Sequence, residues 1–182
     1  MDEKPLDKIT IIDITERSGV SRQMFYHYFS DRVELVRWVC SRYIRGPLYE
    51  KDMFVWEEAM QRLLSSKQTL GQRYRNILHS RYAKILEDML VDETYMLYYC
   101  MIRYRICRTL PNELTDILRQ YCADSAHRIL TYMEDADNMD AALCIRQLYD
   151  AMPKQLGMLI CERGVSVKDI FAERRLLNWA YE

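Results

Sequence analysis

The sequence predicts an all-α protein. Three observations carry that reading: 49% hydrophobic residues falling mostly at helical spacing, only 5 Gly and 4 Pro in 182 residues, and two pairs in which a helix-capping residue precedes an acid by three positions. So few chain breakers cannot serve a many-turned β-sandwich, and the apolar content excludes collagen-like and disordered classes. A chain of this length buries roughly 70% of its unfolded surface, so it needs no disulfide framework or metal staple. Its 26 basic and 27 acidic residues nearly cancel, which excludes a histone-like condenser of nucleic acid. The six cysteines, at 40, 100, 107, 122, 144 and 161, never form a Cys-x-x-Cys pair and are expected to be reduced, buried thiols of a cytoplasmic protein. No apolar run approaches the ~18 residues of a membrane span and no cleavable leader opens the chain, so a soluble protein with no membrane partner is expected.

The elements follow in order. Ile9, Ile11, Ile12 and Ile14 favour a strand locally, but Thr10 followed by Asp13 resembles a capping pair and predicts a short helix over 11–18, ended by Gly19. Ser21 is placed to cap a second helix, Arg22–Tyr28, whose buried face is Phe25 with Phe29. Asp31 and Glu34 open a third, running through Leu35, Trp38, Val39 and Tyr43 until Gly46-Pro47 stops it. The composition then shifts toward Met, Tyr and Leu, which places a boundary between units 1–45 and 46–182. Further helices are expected near 54–65, 71–90, 93–109, 112–134, 140–163 and 166–180, with Pro111 starting one and Pro153 kinking another.

Two short helices joined at a glycine, followed by a longer one, form the helix-turn-helix of DNA-binding proteins. Gly19 allows the tight turn, Val20 is expected to plug the angle between the helices, and Ile14 and Phe25 to seal the core beneath. Between Arg17 and Arg45 six arginines face only Asp31 and Glu34, a local excess of four positive charges that suits phosphate contact.

The pattern Ile11-x-x-Ile14-x4-Gly19-Val20-Ser21-x3-Phe25-Tyr26-x-x-Phe29-x-Asp31-Arg32-x-x-Leu35 resembles the N-terminal domain of TetR-type transcriptional regulators. Lys4-Pro5-Leu6-Asp7-Lys8-Ile9-Thr10 is similar to the branch that includes dihydroxyacetone-kinase regulator-like members. The resemblance implies that Arg22, Gln23 and Met24 begin the recognition helix and meet base edges, Arg and Gln pairing with guanine and adenine. It further implies phosphate contacts from Tyr26, His27 and Arg32, with Ser21 capping the helix and touching a phosphate. In the resembled family another helix precedes the Lys-Pro-x-Asp-Lys-Ile segment, whereas here only Met1-Asp2-Glu3 do. Residues Met1–Pro5 therefore read as the last turn of that helix, and the start is expected to be misassigned or truncated. On that expectation Ile9, Ile14 and Phe25 lose a covering surface and DNA binding weakens.

The resemblance also implies a second unit that pairs two chains and encloses a small-molecule effector. Over 93–109, Tyr95, Tyr98, Tyr99, Ile102 and Ile106 share one helical face, while Met96, Cys100, Arg103, Cys107 and Leu110 share another, as in a central helix. Tyr74, His79, Tyr82, Tyr121 and His127 are polar-tipped groups suited to line a cavity beside it, and with Tyr95, Tyr99 and Arg103 they form the candidate ligand-binding set. The segment 140–163, with Ala151 and Gly157 allowing close approach, suits a two-fold four-helix homodimer interface built with 112–134. Two recognition helices then enter successive major grooves ~34 Å apart, and a ligand that selects one spacing shifts the population away from operator DNA.

An enzyme is the rival class, but the three histidines are widely separated and no His-Glu-x-x-His, Gly-x-Gly-x-x-Gly, Gly-x-Ser-x-Gly or phosphate loop occurs. The sequence calls for no catalytic residue, metal or cofactor. A third reading keeps the fold and discards the DNA, making the chain a ligand- or protein-binding co-regulator with a degenerate first unit.

Overall fold

A computed structural model describes residues 4–135 and 140–177. After a 3-10 turn at Leu6–Lys8 come α1 (Ile11–Ser18), α2 (Arg22–Tyr28) and α3 (Arg32–Leu48). A two-residue strand β1 (Met53–Phe54) leads into α4 (Trp56–Ser65), α5 (Lys67–Leu78), α6 (Ala83–Ile106) and α7 (Asn112–Glu134). Then follow α8 (Ala141–Asp150), α9 (Lys154–Ile160), β2 (Val165–Ser166) and α10 (Val167–Leu176). The expected all-α architecture holds, apart from β1 and β2. These pair antiparallel, Met53 with Ser166 and Phe54 with Val165, and Gly164 lets the backbone pass close to the Phe54 carbonyl.

Local chemistry sets the first elements. Thr10 and Asp13 form a full capping box at α1, and Gly19, at φ 69°, closes it in the left-handed conformation that glycine adopts without strain. The helix beginning at Asn112 follows Pro111, as its missing N–H allows.

Other expectations need correction. The helix expected to stop at Gly46-Pro47 continues to Leu48, so position 45/46 lies inside α3. Pro47 has no N–H for the Tyr43 carbonyl, and the Tyr74 hydroxyl supplies the bond instead, at 3.2 Å. The buried face of α3 is Val36, Cys40, Ile44 and Leu48, spaced by four, rather than the face of Trp38, which is 53% exposed. The helix expected over 71–90 is divided, because the Ser80 hydroxyl donates to the Ile77 carbonyl and accepts from the Tyr82 amide, replacing helical bonds at the corner. The helices expected at the end of 71–90 and over 93–109 are then one, α6, closed by Cys107 at φ 50°. Pro153 breaks rather than kinks 140–163, separating α8 from α9, and the segment beyond Cys161 turns into β2. The helix expected over 166–180 is described through Leu176, and its last three residues lie outside the described ones.

The central element is α6, packed by α3, α5, α7, α9 and α10. Its residues 93–98 and 100–102 are all buried, in keeping with a helix apolar nearly all round. One carboxylate sits among them. Glu93 accepts from Arg174 of α10 at 2.7 and 3.2 Å, from Arg45 of α3 at 2.9 Å and from the Tyr49 hydroxyl at 2.7 Å. Burial opposes its ionisation, but Arg174, Arg45 and Tyr49 together hold its carboxyl below the ordinary range. Cys40, Cys100, Cys122 and Cys144 are buried free thiols as expected, whereas Cys161 is only half-buried and Cys107 is exposed. Among the described residues no helix is long and apolar enough to cross a membrane.

Candidate nucleic-acid interface

The N-terminal elements are built by short-range hydrogen bonds. At the start of α1 the Asp13 carboxylate accepts from the Thr10 amide at 2.6 Å, the Thr10 hydroxyl at 2.6 Å and Lys4 Nζ at 2.7 Å. The Lys4 and Thr10 bonds hold that carboxyl far below the usual range. Thr15 is buried within α1, its hydroxyl donating to the Ile12 carbonyl. Val20, expected to plug the interhelix angle, is instead 41% exposed, because the turn at Gly19 points it outward.

Helix α2 is capped by Ser21, whose hydroxyl accepts from the Met24 amide at 3.0 Å. That bond gives Ser21 the capping role expected of it. Of the α2 side chains only Phe25 is buried, packed edge-on against Tyr26 and tilted against Phe29. Phe25 is 4% exposed and so keeps its cover, contrary to the expectation; Ile9 and Ile14 are half-buried. Residues 1–3, on which the missing-turn expectation rests in part, lie outside the described residues. Arg22, Gln23, Met24, Tyr26 and His27 all stand in solvent. One anchored residue thus orients a helix whose remaining surface is free to enter a groove.

At α3, Asp31 accepts from the Glu34 amide at 2.9 Å, and Glu34 in turn accepts from the Ser30 amide at 2.5 Å; the Ser30 side chain and amide together lower its carboxyl. Both acids of the basic stretch are therefore engaged in capping. Two of its six arginines also turn inward. Arg45 meets Glu93, and Arg32, expected to grip a phosphate, donates to the carbonyls of Asp7 and Ile9 and lies against the Tyr82 ring. Arg17, Arg22, Arg37 and Arg42 remain exposed.

Residues 1–39 match the family described as bacterial regulatory proteins, tetR family. The N-terminal segment is thus similar to that family. No match was found among curated proteins. The matched segment covers α1, α2 and the first half of α3, the elements that present the exposed face of α2.

The residues expected to line a cavity are dispersed over several neighbourhoods. Tyr74 serves the Tyr43 carbonyl and meets Ser66 at 3.2 Å. Tyr82 lies at the α5–α6 corner with Arg81 and Arg32. The rings of Tyr95 and Tyr99 are 5.9 Å apart, with Arg119 over Tyr95 at 4.7 Å. Arg103 pairs with Glu173 at 2.9 Å. Tyr121 donates to the Leu148 carbonyl at 3.1 Å and its ring is 6.3 Å from that of Tyr98. His79 is exposed beside Glu134, and His127 is exposed on α7. Sequence reasoning missed the Trp56 indole that donates to the buried Tyr98 hydroxyl at 3.1 Å, and it missed the Glu93 cluster. The signal for the latter was an acid placed just before the unbroken apolar run from Tyr95 to Ile102 in the central helix. Among the described residues no group of three or more His, Cys, Asp and Glu could hold a metal.

Proposed function

We propose that the chain is a DNA-binding transcriptional regulator, a homodimeric, ligand-responsive repressor of operator DNA. The observation that carries this reading is α2: capped by Ser21, anchored by Phe25, and presenting Arg22, Gln23, Met24, Tyr26 and His27 to solvent. Arg22 and Gln23 supply the two side-chain types that pair with guanine and adenine edges. Arg17, Arg37 and Arg42 supply exposed charge for the flanking phosphates. Residues 1–45 act as the reading unit and 46–182 as the ligand-binding and dimerisation unit, all within the cytoplasm. The Lys4–Thr10 segment supports a place in the branch with the dihydroxyacetone-kinase regulator-like members. Exposed Leu143, Tyr149 and Met158 on α8 and α9 support the pairing of two chains, and the polar-tipped aromatics along α6 and α7 support a small-molecule effector.

The test uses a duplex selected by the wild-type chain from a randomised pool. Arg22→Ala combined with Gln23→Ala is expected to weaken binding to it by at least about tenfold, since each good bidentate base contact contributes roughly 1–3 kcal/mol of discrimination. Unmoved affinity, or a wild-type chain that selects no duplex, overturns the DNA reading in favour of a co-regulator.

A further inference from the structure

Arg32 opens α3 and Tyr82 closes the α5–α6 corner, fifty residues away in sequence, yet they meet. The Arg32 guanidinium donates to the Asp7 carbonyl at 3.3 Å and to the Ile9 carbonyl, and its carbon lies 5.5 Å from the centroid of the Tyr82 ring. From the other side, the Arg81 amide donates to the Asp7 carboxylate at 3.3 Å, its guanidinium approaches the same oxygen at 3.8 Å, and that guanidinium bonds the Tyr82 hydroxyl at 2.9 Å. Leu6 packs against the main core beneath. Tyr82 itself is 2% exposed, so its ring is a fixed surface rather than a mobile side chain.

These contacts join three chain segments: the 3-10 turn that leads into α1, the first turn of α3 that follows α2, and the corner from which α6 departs. They therefore grip the helix-turn-helix at both of its chain ends. A guanidinium suits this place because its Nη1 donates to both carbonyls while its delocalised plane lies over an aromatic face, which an ammonium does not reproduce. The carbonyls of Asp7 and Ile9 also hold that guanidinium away from a phosphate.

We propose that Arg32 and Tyr82 are positioning residues that clamp the helix-turn-helix to the α5–α6 corner and so set the orientation in which α2 meets DNA. This rests on the DNA-binding reading above. A displaced corner would loosen the reading helix without touching it, so the clamp joins the base of α6 to operator affinity.

Salt dependence separates the clamp from a phosphate contact. With the selected duplex, Arg32→Met and Tyr82→Ala are each expected to weaken binding about tenfold, and the double variant no further, because both break one unit. The slope of log affinity against log salt should stay at the wild-type value in both, whereas loss of a phosphate contact reduces it by about one. Arg32→Lys should fail to restore affinity, and Tyr82→Phe, which keeps the ring face, should restore most of it. A reduced slope, or rescue by Arg32→Lys, overturns the proposal. In parallel, amide hydrogen exchange of the free protein should quicken over residues 10–29 in Arg32→Met and Tyr82→Ala while α6 stays protected. Quickening in both regions marks a general loss of stability and also overturns it. If the wild-type chain selects no duplex the DNA reading fails, and unchanged exchange over 10–29 then removes the clamp as well.

Discussion

Glu93 illustrates what one residue does in this molecule. Its carboxylate is buried and is surrounded by two guanidiniums and a phenol from two segments, α3 with its C-terminal cap and α10, so it ties α3 and α10 to α6. Burial and the neighbouring carboxylate both push the Tyr49 hydroxyl well above its ordinary value, which keeps it a donor. Removing the one acid leaves Arg174 largely buried without its partner, and breaking such a pair costs about 3 kcal/mol. Glu93→Gln should therefore lower unfolding stability by about that amount at pH 7, measured from urea midpoints. The sign of the pH dependence follows from a folded carboxyl below the unfolded value of 4.5. The stabilisation is complete above the unfolded value and is lost as pH falls through the folded one. The gap between wild type and Glu93→Gln should narrow on acidification below pH 4.5; a constant gap would refute the ion-pair account.

At the scale of the element, α3 shows how a helix passes a proline. The Tyr43 carbonyl would lack a partner because residue 47 has no N–H, and the Tyr74 hydroxyl from α5 supplies one. Tyr74 is buried, which pushes its phenol up to about 12 and keeps it protonated as a donor. Tyr74→Phe leaves that carbonyl unpaired and should cost about 1–2 kcal/mol. Pro47→Ala returns the N–H to the helix, so in that background the same substitution should cost less than about half as much. Equal costs in the two backgrounds, read from urea unfolding, would show that Tyr74 stabilises by packing alone.

The whole molecule is organised around α6, which receives α3 on one side and α7, α9 and α10 on others. Its base meets the helix-turn-helix at Tyr82, and its middle meets the far end of α3 through Glu93. Leu143 and Met158, on α8 and α9, are 48% and 62% exposed and lie where the proposed homodimer would form. Leu143→Glu combined with Met158→Glu should convert the dimer to a monomer in sedimentation velocity, with the helical content unchanged. Such a monomer should bind a half-site and lose preference for two half-sites one DNA turn apart. A dimer that survives both charges would move the interface elsewhere.

The helix-turn-helix was legible because the bonds that define it span three or four residues. Thr10 with Asp13, Ser21 with the Met24 amide, Asp31 with the Glu34 amide, and Gly19 at a positive φ all declare themselves in a window one turn long. The single buried position of α2 and the start of α7 after Pro111 were legible for the same reason. The reading failed where a partner lay far along the chain. Tyr74 reaches Tyr43 across 31 residues, and Arg174 reaches Glu93 across 81. Arg32 has the same sequence neighbours whether it faces a phosphate or the carbonyls of Asp7 and Ile9, and only the packing of Tyr82 decides between them. Local hydrogen bonding thus determined which segments are helical and which side chains of α2 are free, whereas the direction of long side chains and the passage of α3 through Pro47 were decided by burial against distant elements.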